Sequence, residues 1–113
     1  MQYLLMIYGD ESAMAKAKPE DMAPMMAAFT AYSAALREAG VFVAGDRLHG
    51  SNAATTVKVV DGKTQVLDGP YAETKEQLGG YYLIDVADLD AALGWAARCP
   101  GASTGIMEVR PVY

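Results

Sequence analysis

One cysteine, one histidine and no cluster of basic residues leave few of the familiar routes to chemistry open in this chain of 113 residues. The lone Cys99 excludes an intramolecular disulfide and any metal centre built from several thiolates. Placed just before Pro100, where a helix should stop, it reads as a small buried hydrophobe. Nine Lys and Arg, scattered singly against fourteen Asp and Glu, leave a formal charge of −5. Without a basic stripe to neutralise phosphates, nucleic acid and anionic membrane are poor partners. The longest apolar run, Tyr3 to Tyr8, is far too short to span a bilayer, and no Lys or Arg precedes it as in a secretory signal. The expectation is a cytoplasmic protein. A glycine-rich phosphate loop, a nucleophile elbow and a His or Cys pair at metal-ligand spacing are all missing, so neither cofactor nor metal is expected.

What is present is ordinary globular material, slightly over half hydrophobic and a fifth charged, which predicts one domain over residues 1–113. A chain this short buries a smaller share of its surface than a long one, so pairing with a second copy would be a natural source of further burial. Gln2 to Tyr8 reads as a strand apolar on both faces, with Leu4, Met6 and Tyr8 on one and Tyr3, Leu5 and Ile7 on the other. Val41 to Leu48 begins in the same way, Val41 and Val43 opposing Phe42 and Ala44. Gly80 to Val86 sets Tyr81 and Leu83 against Tyr82 and Ile84.

Two segments have helical spacing. From Met22, a stripe of Met25, Met26, Phe29, Tyr32, Leu36 and Ala39 runs to a stop at Gly40. Pro24 is tolerated there if Asp21 caps the helix and Pro24 falls in its first turn. The second helix starts at Asp88, carries Leu89, Ala92, Leu93 and Ala96 on one face, and ends at Pro100 and Gly101. Thr55 to Val60 and Lys63 to Leu67 flank Asp61-Gly62, a strong hairpin signal, and Thr104 to Val109 is a last strand. This order predicts an α+β fold of ferredoxin-like βαββαβ plan with an inserted β-hairpin. Two helices cover one face of such a sheet. The apolar residues of the other face call for a cover, and a second copy of the sheet is the simplest one.

The least generic stretch is DGPYAETKEQLGG, Asp68 to Gly80. Together with YLLMIYGDE at Tyr3 to Glu11, the run from Ala53 to Pro100 and EVRPV at Glu108 to Val112, it resembles the DGPF-type proteins of the YCII-related family. Tyr71 stands where the DGPF name has Phe. The resemblance implies a dimeric α/β barrel in which two ferredoxin-like sheets face each other and enclose clefts. Similar barrels host isomerases, lyases and small monooxygenases, an association of fold alone. Proteins of the YCII type are also associated with a His and Asp dyad. This chain has no histidine on its first helix, so the dyad is not carried over.

The candidate residues each have a plainer reading beside the functional one. His49, with Asp46 near it in sequence, suits a general base, but Leu48 to Asn52 reads as an exposed loop. Asp68, Gly69 and Pro70 make a turn or begin a site. Glu73 and Glu76 would be neighbours on a helical turn and able to share a proton, whereas Lys75 between them suggests a solvated charged turn. Gly79-Gly80 marks a bulge or a close approach. Tyr8, Tyr82 and Asp46 are expected on the barrel side of the sheet, as polar anchors of a cleft or as interface packing. Arg110 pairs with Glu108 or binds a ligand carboxylate.

Two functions follow as expectations. The first is a dimer cleft for a small hydrophobic organic ligand, with Asp68, Glu73 and Asp46 as acid and base groups of a lyase-like or isomerase-like reaction and Tyr8, Tyr71, Lys75, Tyr82 and Arg110 around the ligand. The second, implied by the resemblance, is a non-catalytic regulatory or binding protein associated with an extracytoplasmic-function sigma factor.

Overall fold

The computed structural model describes residues 1–113. Six strands and four helices follow one another: β1 (Gln2–Gly9), α1 (Glu11–Ala15), α2 (Pro19–Glu38), β2 (Phe42–Arg47), a 3-10 turn at Ser51–Ala53, β3 (Thr55–Val60), β4 (Lys63–Asp68), β5 (Gln77–Asp85), α3 (Leu89–Arg98), α4 (Gly101–Thr104) and β6 (Ile106–Pro111). Strands β2-β5-β1-β6 form one antiparallel sheet, while β3 and β4 pair apart from it. Setting aside the hairpin and the two short helices leaves the ferredoxin-like βαββαβ plan that the order of elements predicts.

The core lies between this sheet and helices α2 and α3. Tyr3 and Leu5 from β1 and Tyr82 and Ile84 from β5 meet Tyr32 and Leu36 of α2 and Ala92 and Ala96 of α3. Tyr32 stands edge-on to Tyr82 at 5.3 Å and to Trp95 at 6.2 Å, a geometry that sets the positive rim of one ring against the negative face of another. Its hydroxyl donates to the Trp95 carbonyl at 2.7 Å, and the hydroxyls of Tyr82 and Ser33 share a bond of 2.7 Å. Burial without polar cost is thereby achieved: no buried side-chain oxygen or nitrogen lacks a partner. Cys99 is buried in this core, as expected, and burial pushes its thiol pKa up.

Several elements form where local chemistry asks for them. Asp88 is extended and its carboxylate accepts from the Ala91 amide at 2.9 Å, capping α3. Asp61 and Gly62 both have positive φ, 51° and 77°, as a two-residue type I′ turn between β3 and β4 requires.

Other expectations need correction. Helix α2 begins at Pro19, not after Asp21, and Pro24 lies within it. Pro19 occupies the first turn, where its missing N–H is unneeded. The bond lost at Pro24 falls on an exposed stretch where water can serve the freed carbonyl. Met26, placed on the apolar stripe, is 56% exposed. β6 begins at Ile106 because Gly101–Thr104 coils into α4, and β5 starts earlier, at Gln77. A bulge at Val43 shifts the register of β2 on β5, so Phe42 pairs with Ile84 and Ala44 with Leu83. Phe42 thus faces the helices beside Tyr82, while Ala44 and Asp46 turn to the other face.

That other face has no helix over it. The register aligns Ala44, Leu83, Leu4 and Arg110 in one row and Asp46, Tyr81, Met6 and Glu108 in the next. Tyr82, expected on this face with Tyr8 and Asp46, belongs to the helix-covered face instead. The side-chain period of two along β5 gives the open position to Tyr81.

Candidate functional site

Four segments meet at the end of the sheet where β1 leaves toward α1: the end of β1, the loop after β2, the base of the hairpin, and residues 69–77. Their meeting depends on a short polar chain. The Asp10 carboxylate caps α1, accepting from the Ser12 amide at 3.0 Å and the Ser12 hydroxyl at 2.6 Å, and that hydroxyl holds its pKa below the ordinary value. Glu11 then reaches both ways. Its amide donates to Gln77 Oε1 at 3.0 Å, and its carboxylate accepts from the Ser51 amide at 2.7 Å and the Ser51 hydroxyl at 2.6 Å. Gln77 Nε2 donates to the Thr74 carbonyl at 2.5 Å, and the Thr74 hydroxyl donates to the Glu76 carbonyl. The charge-assisted bonds at Glu11 are the strong ones of the set. Two loops are therefore pinned to the start of α1.

Beside this link lies a cleft of about 720 Å³, within the range of small-molecule sites. Tyr8, Leu78, Ala54 and Pro70 give it apolar wall, and His49, Thr56, Glu76 and Gln77 give polar groups. Tyr71 lines it with a ring that is 92% exposed, so that ring contributes little to the fold. Across the ridge made by Tyr8, Thr74 and Glu76 is a second cleft of about 490 Å³, bounded by Lys75, Ile106, Met107 and Glu108. The bulge that admits Gly79 opposite Ile7 and Tyr8 shapes the shared ridge. At Gly80 the β2 backbone comes so close that an added Cβ would lie 3.0 Å from the Asp46 carbonyl oxygen.

A match to the YCII-related domain runs over residues 1–113, the whole of the chain. The protein belongs to the YCII-related family. An uncharacterised protein of Rhizobium meliloti (strain 1021) is 43% identical over 114 residues, covering 99% of this chain and 92% of that relative.

Within this YCII-related chain, the residues singled out by sequence fall in three places. Tyr8 and Tyr71 line the larger cleft, and Tyr8 and Lys75 line the smaller. Asp46 and Arg110 lie on the open sheet face, where the Tyr81 hydroxyl donates to Asp46 at 2.8 Å and Arg110 meets Glu108 at 3.3 Å. The Asp46 bond and its charge raise the Tyr81 pKa. Asp68 ends β4 opposite Thr55 on the hairpin, and Glu73 is exposed in the following loop. The three candidate acids are thus not gathered at one point. Tyr82 is in the core. Sequence reasoning missed Glu11, Ser51 and Gln77, whose partners are up to 66 positions away; His49 lies in an exposed loop, as expected, and that loop borders the larger cleft.

Proposed function

We propose that this YCII-related protein binds a small, largely apolar organic molecule in the cleft walled by Tyr8, Tyr71 and Leu78. A second copy packed on the open sheet face completes the enclosure. The single observation that carries the reading is a cleft of about 720 Å³ lined by Tyr8, Tyr71 and His49 among others, with its loops pinned through Glu11 rather than free. An apolar body would meet the rings, and Thr56, His49 and Gln77 would orient a polar end. Asp68, Glu73 and Asp46, expected as acid and base groups, lie outside the lining of this cleft and apart from one another, so the proposal is one of binding and carries no proton-transfer step.

The test is thermal stabilisation by a panel of aromatic and aliphatic carboxylic acids and lactones, run on the parent and on Tyr8→Ala and Tyr71→Ala. A ligand present at one hundred times its Kd adds about 2.7 kcal/mol to stability. Hits that stabilise the parent and lose most of that effect in both variants support the cleft. Hits that stabilise all three proteins equally place the ligand elsewhere and sink the reading.

A further inference from the structure

The larger cleft is lopsided in its chemistry. Of its 16 lining residues Glu76 is the only acid, and none is Lys or Arg. Arg47, one residue before Leu48, belongs to β2 opposite Gly80, and Lys75 lines the smaller cleft across the ridge. With histidine neutral, the formal charge of the lining is therefore that of a single carboxylate, within a chain of net charge −5.

Glu76 is half-buried, and its carboxylate has no partner in the protein. The ion pairs of the molecule lie elsewhere, between the Met1 amino group and Asp85 and between Arg110 and Glu108. The hydrogen bond at Glu76 is made by its backbone carbonyl, which accepts from the Thr74 hydroxyl. A ligand that fills the cleft strips water from this carboxylate, and a neutral ligand without a donor returns nothing for it. An anion adds repulsion between like charges. A cation with N–H groups supplies both a counter-charge and a donor, and such charge-assisted bonds are the strong ones. The two tyrosines of the lining act in the same direction, because an aromatic ring attracts a cation placed over its face. The only bond of the Tyr8 hydroxyl is a long one to the Met6 sulfur at 3.9 Å, which leaves its oxygen free to accept from an N–H.

We propose that the ligand of this cleft is an organic amine, protonated at neutral pH, with an aromatic or aliphatic body against Tyr8, Tyr71 and Leu78 and its ammonium group at Glu76. The inference rests on the cleft reading above and adds the charge of the ligand. Among acids and lactones it ranks the neutral lactones first.

The test is an NMR titration with three probes of similar shape, phenethylamine, phenethyl alcohol and hydrocinnamate, followed at the amides of Tyr8, Ala54 and Leu78. It is run on the parent, on Glu76→Gln and on Glu38→Gln, which removes an equal charge at the exposed end of α2. The amine should bind the parent about tenfold or more tighter than the acid. Glu76→Gln should lose that preference, and Glu38→Gln should keep it. An acid that binds the parent as tightly as the amine overturns the inference before any variant is made. A preference that survives in Glu76→Gln also overturns it, since it would come from the net charge of the whole protein. If the three probes shift the cleft amides equally, the cleft reading stands and the amine falls. If none of them shifts those amides, both fail.

Discussion

Tyr81 and Tyr82 are neighbours on one strand with opposite fates. Tyr82 is 8% exposed, packed edge-on between Tyr32 and Phe42, and bonded to Ser33. Tyr81 stands on the open face and holds Asp46. The two faces of β5 therefore divide stability from availability: one is consumed by the helices, and the other keeps polar and apolar groups free for a partner or ligand. In a monomer, substitutions on the two faces should differ sharply.

The largest contrast is expected between Ile84→Ala and Leu83→Ala. Ile84 is fully buried, and its truncation should cost about 2–5 kcal/mol in urea unfolding. Leu83 is only half-buried, so its truncation should cost under about 1.5 kcal/mol in dilute protein. If a second sheet covers the open face, the cost at Leu83 grows with protein concentration, whereas that at Ile84 does not. Equal and concentration-independent costs would erase the distinction between the faces.

A smaller effect is expected at alkaline pH. Burial raises the pKa of Tyr32 above its ordinary 10.0 and that of Cys99 above 9.0. Both groups stay protonated in the fold after the unfolded chain begins to ionise. Stability should hold steady below about pH 9 and fall as the pH rises toward the folded values. Tyr32→Phe should flatten the upper part of that fall, and an unchanged slope would show that Tyr32 does not carry it. On the open face Tyr81, whose pKa the Asp46 bond raises, acts in the same direction from a solvated position, where screening reduces its share.

Removing hydroxyls should give the finest comparison. Tyr82→Phe leaves the Ser33 hydroxyl without its partner beside the core and should cost about 1 kcal/mol. Tyr81→Phe, at a solvated position, should leave the unfolding midpoint where it is, its only signature being a change in the environment of the Asp46 carboxylate by NMR. A larger loss at Tyr81 than at Tyr82 would mean that the open face is covered in solution.

Much of the frame was legible before any coordinates. The alternation of Tyr3, Leu5 and Ile7 against Leu4, Met6 and Tyr8 marked β1 as a strand with two apolar faces, and Asp61-Gly62 marked the hairpin turn. The candidate site was legible only in part. Tyr8, Tyr71 and Lys75 do line its clefts. Helix α1 is five residues long and survives by the Asp10 cap and the Gln77 bond, so it has too few turns to leave a periodic signal. The bulge at Val43 reverses which side of β2 faces the helices, and nothing in an alternating run announces where the extra residue sits.

By itself, then, the sequence determined the local elements: strand alternation, the apolar stripe of α2, the Asp88 cap and the type I′ turn all follow from stereochemistry within a few residues. Only the tertiary structure decided the order β2-β5-β1-β6, the side of the sheet each tyrosine occupies, and the bonds by which Glu11 joins Ser51 and Gln77 at the cleft. Those depend on residues tens of positions apart, brought together by burial of one sheet face under two helices, and no short window of sequence holds both partners.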